Sequence, residues 1–256
     1  MHITVDGVIF EQNPRGGISR IFREVLPRVC VFDDTITVTL LTSILESIQC
    51  DGLPKHAHIH HIGLLPPAKL LHRRKFWWVR SQVRKLSQKN FLKKNRNSIW
   101  HSTYYTLLEP WDGPVVVTVP DMIYERYNSL FNGQMNDQIR RRKQHSIRRA
   151  DHIICISDLT KNEVLQYYAI DPDKITVIRL AYNREVFHIQ PPATTAKNFI
   201  DRPFLLYVGG RTHYKNFSGL LRAYHRWQRQ RDIPLVTVGG PWLKQELKLL
   251  AELKLT

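Results

Sequence analysis

A chain of 256 residues with 43% hydrophobic content and six Trp can bury a real core, in one large domain or two smaller ones, which excludes a disordered chain. Its 38 Lys and Arg against 22 Asp and Glu leave a net charge of +16, which points to phosphates as partners, whether of a nucleotide, an anionic lipid or nucleic acid. Three unevenly spaced Cys (Cys30, Cys50, Cys155) give neither a disulfide framework nor a metal-ligand pattern, and no run of 18 apolar residues offers a membrane-spanning helix.

The opening MHITVDGVIF lacks a basic n-region and a long apolar stretch, so a secretory signal is not expected. Ile3 and Val5 begin the first strand. Pro14-Arg15-Gly16-Gly17 then leads into Ile18, Ile21, Phe22, Val25, Leu26 and Val29 at helical spacing, with Pro27 expected to kink or end the helix. Gly16-Gly17 reads either as an ordinary turn or as a place where the backbone approaches a sugar or phosphate; the spacing is not G-x-G-x-x-G. Ile36–Leu41 and Ala57–Ile62 read as strands. In the second, His58, His60 and His61 have no accompanying acid or Cys and are expected on the surface or in a cleft, not around a metal.

Lys69–Arg96 is different in composition: 28 residues with 11 Lys or Arg and no acid, interleaved with Phe76, Trp77, Trp78, Val79, Val83 and Leu86. Three readings fit it: an interfacial segment on anionic lipid, a core-packed helix with a solvated basic face, or a groove for nucleic acid. The chain has no finger, helix-turn-helix or aromatic RNA-binding signature, so no specific nucleic acid is expected.

Val115–Val119 reads as a buried strand ending at Pro120-Asp121-Met122, and open α/β sheets place ligands at the carboxyl ends of parallel strands. Asp121, and Ser102, Thr103 and Tyr104 before it, are therefore candidate cleft residues; Asp121 also reads as a turn or cap aspartate. Asp137–Ala150 is expected as a basic helix and Asp151–Ile156 as a strand. Ser157 stands as an N-cap or a cleft residue, and Ile175–Leu180 as a further strand. Ile189–Asn198, with two prolines, is the linker candidate. Beyond it, Phe204–Val208 reads as a strand, Gly209-Gly210 as a tight turn, and a helix begins near Ser218. Arg211 and Lys215 would stand beside its N-terminus, where unpaired N–H groups favour a phosphate or diphosphate. Pro234–Val238 and one more helical pattern follow. Repeated strand–helix units of this kind make an α/β protein with a largely parallel sheet.

The order of these motifs resembles the GT-B glycosyltransferases, in particular the large retaining family called family 4, which includes mannosyl- and glucosyltransferases of bacterial surface polysaccharides. The resemblance rests on Gly16-Gly17-Ile18, His101-Ser102-Thr103 and VVVTVPDMIYE at Val115–Glu125. It continues through ADHIICISDLTKNEV at Ala150–Val164, DKITVIRLAYNREVF at Asp173–Phe187, FLLYVGGRTHYKNFSGLLRAY at Phe204–Tyr224 and PLVTVGG at Pro234–Gly240. It implies a Rossmann-like, acceptor-side first domain over 1–188, a linker over 189–203, and over 204–256 the start of a second Rossmann-like domain for a nucleotide-sugar, incomplete here. Such enzymes normally need no metal or other cofactor. The resemblance puts Gly16, Gly17, Gly210, Arg211 and Lys215 at the donor phosphates, Arg211 and Lys215 with Asp121 at the chemistry, and Ser102, Thr103, Tyr104 and Ser157 on the acceptor side. The implied activity moves a hexosyl group, such as mannosyl, from a GDP- or UDP-hexose to a glycan or lipid-linked acceptor with retention. The implied location is the cytoplasm, peripheral on the inner face of the membrane through 69–96.

The chain departs from the family in four places. Pro120 stands where a His usually precedes Asp121, Leu180-Ala181-Tyr182-Asn183 replaces an Asn-Gly-Val-Asp-like turn, and Arg211 and Lys215 are four apart where many relatives have five. The paired glutamates of the family's second domain have no match after Gly240. These departures keep open a non-catalytic sugar- or phosphate-binding remnant or partner of an intact transferase, and the net charge alone keeps open a basic nucleic-acid-binding protein.

Overall fold

The computed structural model describes residues 1–44, 53–65, 77–130, 133–189, 200, 202–211, 213–227 and 232–255. The chain forms two compact units, Met1–Phe187 and His188–Thr256. In the first, seven strands run parallel in the order β3-β2-β1-β4-β5-β6-β7: β1 His2–Asp6, β2 Thr37–Ile44, β3 Ile59–Leu65, β4 Ile99–Ser102, β5 Val115–Val119, β6 His152–Cys155 and β7 Ile175–Val177. Helices α1 Val8–Gln12, α2 Gly17–Phe32, α3 Trp77–Asn95, α4 Ile123–Arg126, α5 Gln134–Arg149 and α6 Asp158–Tyr168 join them. Register fixes the two faces. Val5 lies beside Leu40 and His101, and with Val38 it packs under Phe22, Leu26 and Cys30 of α2. The other face carries Trp100, Val115, Val117, Val119 and Ile153 under Phe91 of α3, Ile147 of α5 and Val164 of α6. Both faces of a parallel sheet are covered by crossover helices, and its strands are correspondingly apolar.

Several boundaries differ from the sequence reading. Helix α2 does not stop at Pro27 but runs through it to Phe32. A mid-helix proline costs about 3 kcal/mol, and burying large side chains such as Phe22 and Leu26 returns about 1.5–3 kcal/mol each, so packing wins. The strand expected over Ile175–Leu180 leaves the sheet after Val177, with Ile178 and Leu180 half-exposed. His60 is exposed and His58 and His61 are half-buried along the edge strand β3. Among the described residues no group of three or more His, Cys, Asp or Glu could hold a metal ion. Of the basic segment, residues 69–76 lie outside the described residues, as does 190–199 of the linker; the rest of the basic segment belongs to α3 and the turn after it. No helix among the described residues is long and apolar enough to cross a membrane.

The basic run in α5 conceals a buried cation. Lys143 is fully buried, its Nζ 2.8 Å from Glu125 Oε2 and 3.0 Å from the carbonyl of Asp121. Tyr168 of α6 donates to the same carboxylate at 2.7 Å, and the ammonium lies 5.1 Å from the Tyr105 ring centre. One charge thus ties α5, α6 and the loop after β5 together. Removing one member of a buried pair strands the other. Lys143→Met is expected to cost about 3 kcal/mol in urea unfolding, and Lys143→Met/Glu125→Gln to recover part of that. A double variant no more stable than the single would contradict the pairing.

His101 on β4 sits against Phe22 (ring centres 5.3 Å, edge-on) and shares a 2.8 Å hydrogen bond with Thr118 Oγ1. Burial pushes its pKa down to about 4. Between pH 6.5 and 4 the unfolded chain therefore takes a proton that the native imidazole refuses, so stability falls as pH falls through that window. The expected loss from this group is about 3 kcal/mol, and His101→Phe should lack it in denaturant titrations at pH 7.5 and 4.5. Burial raises the Asp6 pKa and so acts in the opposite direction, but it is common to both proteins and cancels in the comparison. Equal pH dependence of the two would rule out a neutral buried imidazole.

Candidate functional site

Because all seven strands are parallel, their carboxyl ends share one edge, and the chain reverses direction across the sheet between β1 and β4. This is where open α/β sheets form ligand crevices. Asp6, the last residue of β1, is buried there with both carboxylate oxygens occupied. Ser102 Oγ donates to Oδ2 at 2.9 Å, Thr106 Oγ1 donates to Oδ2, and Thr103 Oγ1 donates to Oδ1. Burial pushes the Asp6 pKa up, opposed by those three hydroxyls. Ser102 and Thr103, expected to face an acceptor, are thus buried and turned towards Asp6. Tyr104 is half-buried, its ring 5.3 Å from that of Tyr105, which takes the left-handed φ of 58°.

Asp6 escaped sequence reasoning because a lone strand-end aspartate carries no motif; the signal was the spacing of three hydroxyls at Ser102, Thr103 and Thr106. Asp121 follows the end of β5, two strands across from β1. Its carboxylate accepts from the Ile123 amide at 3.2 Å, a turn-type contact at the start of α4, while Lys143 holds its carbonyl. Ser157 caps α6, accepting from the Thr160 amide at 3.1 Å, and its hydroxyl lies 3.0 Å from that of Thr160.

Gly16 and Gly17 form the N-terminal turn of α2. A side chain at Gly17 would meet nothing within 4 Å, so the backbone there is open to a ligand. The turn borders a cavity of about 390 Å³ walled by Gly17, Arg20, Arg28, Tyr182, Asn183 and Phe187. Glu24 organises the wall: it lies 3.6 Å from Arg20 and 2.6 Å from Arg28, and accepts from Asn183 Nδ2 at 3.1 Å. The hydrogen bond from Arg28 leads the causes that hold the Glu24 carboxyl below its usual range.

The second unit has a parallel pair, β8 Leu205–Val208 and β9 Leu235–Val238, with α7 Phe217–Arg226 and α8 Lys244–Glu252. Gly209, at φ 126°, turns the chain out of β8 in a conformation that a side chain would strain, and Gly210 follows it, exposed. Arg211 and Lys215, expected together at a diphosphate, are placed differently. Arg211 is nearly buried against Glu246, with Nε–Oε1 at 2.9 Å and an Nη2 bond to Oε2 at 3.0 Å. It also donates to the carbonyls of Gly240 and Pro241 and stacks 4.5 Å over the Trp242 ring. The hydrogen bond from Arg211 is the chief cause that lowers the Glu246 pKa. Lys215, itself exposed, instead closes the 3-10 turn directly before α7, its Nζ 4.9 Å from the Tyr214 ring centre. The N-cap residue of that helix, Asn216, makes no side-chain capping hydrogen bond among the described residues. Lys215 therefore stands beside the first turn of α7, apart from the Arg211–Glu246 pair.

Residues 33–186 match the family model described as Glycosyltransferase Family 4. Over 102 residues the chain is 30% identical to alpha-maltose-1-phosphate synthase of Mycolicibacterium smegmatis, a match that takes in 37% of this chain and 26% of that protein. Among solved structures, all of it superposes on 68% of a sucrose-phosphate synthase from Thermosynechococcus elongatus, with TM-score 0.68 and 15% identity. A glycosyltransferase from Rickettsia africae gives TM-score 0.56 at 20% identity, covering 99% of this chain and 65% of that one. A lipopolysaccharide outer core galactosyltransferase gives TM-score 0.53 at 13% identity, with 99% and 65% covered. The chain thus spans about a quarter of the curated relative and about two thirds of the solved ones. The structural likenesses establish an α/β GT-B fold with a large parallel-sheet Rossmann unit and a much smaller second sheet unit, and the family match over more than half the chain makes it a member of glycosyltransferase family 4.

Proposed function

We propose that this chain serves hexosyl transfer from a GDP- or UDP-hexose to a glycan or lipid-linked acceptor, with retention, in cell-surface polysaccharide synthesis. The observation that carries the reading is Lys215, exposed beside the uncapped N-terminus of α7. As the bond between the anomeric carbon and the diphosphate breaks, negative charge grows on the leaving phosphate and positive charge on the sugar. An ammonium and helix-end N–H groups aimed at that phosphate stabilise the change more than the ground state. Gly17, with Arg20 one turn on, offers a second open backbone for a phosphate in the first unit, while Gly16 before it packs against the Asn13 side chain. Asp121 keeps its assigned place as a group near the reacting sugar, positioned by Lys143 through its carbonyl. Arg211 serves the site by fixing the turn that carries Gly209 and Gly210, not by touching phosphate. The proposed location is cytoplasmic and peripheral, through the basic segment 69–96 on anionic lipid.

A second reading, a sugar- or phosphate-binding partner without catalysis, is favoured by the engagement of Arg211 with Glu246, since one expected cation is absent from the anion-facing group. One pair of variants separates the two. Lys215→Ala should lower affinity for free nucleoside diphosphate, and lower turnover by about two to three orders of magnitude if the chain is catalytic. Arg211→Ala should instead lower the unfolding midpoint of the second unit and spare binding at temperatures where the unit stays folded. Unchanged affinity and turnover in Lys215→Ala would remove the phosphate assignment. Lost affinity with no turnover in either protein, tested against lipid-linked and free glycan acceptors, would establish the non-catalytic reading.

A further inference from the structure

A second, smaller cavity of about 180 Å³ opens at the carboxyl ends of β1, β2 and β4, apart from the one beside Gly17. Its walls come from five segments that are distant in sequence: Asp6 and Glu11, Leu41 to Ser43, Leu64, Gln88 of α3, and Trp100 with Thr106 to Leu108. Liquid water takes about 30 Å³ per molecule, so the space equals about six waters, and drug-sized pockets begin near 300 Å³. It therefore has room for a saccharide-sized ring.

The chemistry of the lining narrows the occupant. Asp6 and Glu11 are carboxylates, and among the described residues neither Lys nor Arg lines the cavity, so this lining does not favour a phosphate. The Asp6 oxygens are engaged by three hydroxyls, which makes it a wall and not a ligand. Glu11 is different. Its Oε1 accepts from the Ser43 amide, while Oε2 has no hydrogen-bond partner among the described residues. The half-buried Gln88, whose amide has two donors and an acceptor, likewise makes no hydrogen bond among them and lines the same space. Opposite these polar groups stand Leu41, Leu64, Trp100, Leu107 and Leu108. An acceptor-only carboxylate and an amide on one side, with apolar surface on the other, match a neutral ring that presents hydroxyls on its edge and C–H bonds on its face.

We propose that this cavity seats one neutral pyranose ring of the acceptor glycan, with Glu11 Oε2 and the Gln88 amide holding its hydroxyls. Naming the ring as the acceptor's rests on the sugar-transfer reading; its binding does not. The whole chain, labelled with ¹⁵N, would be titrated with the methyl α-glycosides of mannose, glucose and galactose, and separately with GDP and UDP. The expected result is saturable shifts of the Ser43 amide and the Gln88 side-chain amide with at least one glycoside. Glu11→Gln, which keeps the acceptor for Ser43, and Gln88→Leu on the half-buried helix face should each raise that Kd at least tenfold and leave nucleoside-diphosphate affinity unchanged. No saturable shift at either position with any glycoside at tens of millimolar, or variants that bind as the parent does, would overturn the seat. Glycoside binding without nucleoside-diphosphate binding would sustain the seat and sink the transfer reading; the reverse would sink the seat alone.

Discussion

A buried carboxylate has to be satisfied, and the way Asp6 is satisfied shapes the working edge of the first unit. Removing it from water is expensive unless hydrogen bonds replace those to solvent. The three donors all come from one stretch, Ser102, Thr103 and Thr106, so the end of β1 and the loop after β4 are held as a single piece at the point where the strand order reverses. Between those hydroxyls Tyr105 is driven into a left-handed backbone conformation, which costs a non-glycine residue about 1–3 kcal/mol. Its ring then lies against Lys143, whose ammonium holds the carbonyl of Asp121. A continuous run of contacts thus joins Asp6 to Asp121 across three neighbouring strand ends.

In the second unit a polar contact joins two elements. The bidentate pair of Arg211 with Glu246, stacked on Trp242, ties the turn after β8 to α8. A guanidinium held by two carboxylate bonds and two carbonyls has little reason to leave for a ligand. Lys215, a point charge on a flexible stem, makes no carboxylate or carbonyl bond among the described residues, so the two cations that look alike in sequence stand in different surroundings.

What could be read in the sequence was what depends on local pattern. The apolar run Val115–Val119, the N-cap at Ser157 and the glycine turn after Val208 all determine backbone conformation within a few residues, and each lies where expected. Order and spacing of such pieces carried the family resemblance. What stayed hidden depends on residues far apart. Lys143 looks like one more cation in QIRRRKQHSIRR until the fold turns it inward onto Glu125, eighteen positions back. Asp6 meets its hydroxyls 96 to 100 positions away, and Glu11 shares a cavity with Gln88 only because β1, β2 and α3 converge. Pro27 misled for the same reason, since local chemistry ends a helix that the sheet beneath it sustains.

Asp6 is the group that fixes the strand-end loop, and amide hydrogen exchange in Asp6→Asn tests this at the level of the loop itself. The amide replacement keeps the size of the side chain and removes one of the two oxygens that accept from the hydroxyls. Exchange over residues 102–107 should accelerate by about tenfold or more, the equivalent of one lost hydrogen bond to a charged group, while β5 and β6 keep their protection. Unchanged exchange over 102–107, or equal acceleration throughout the first unit, would contradict it.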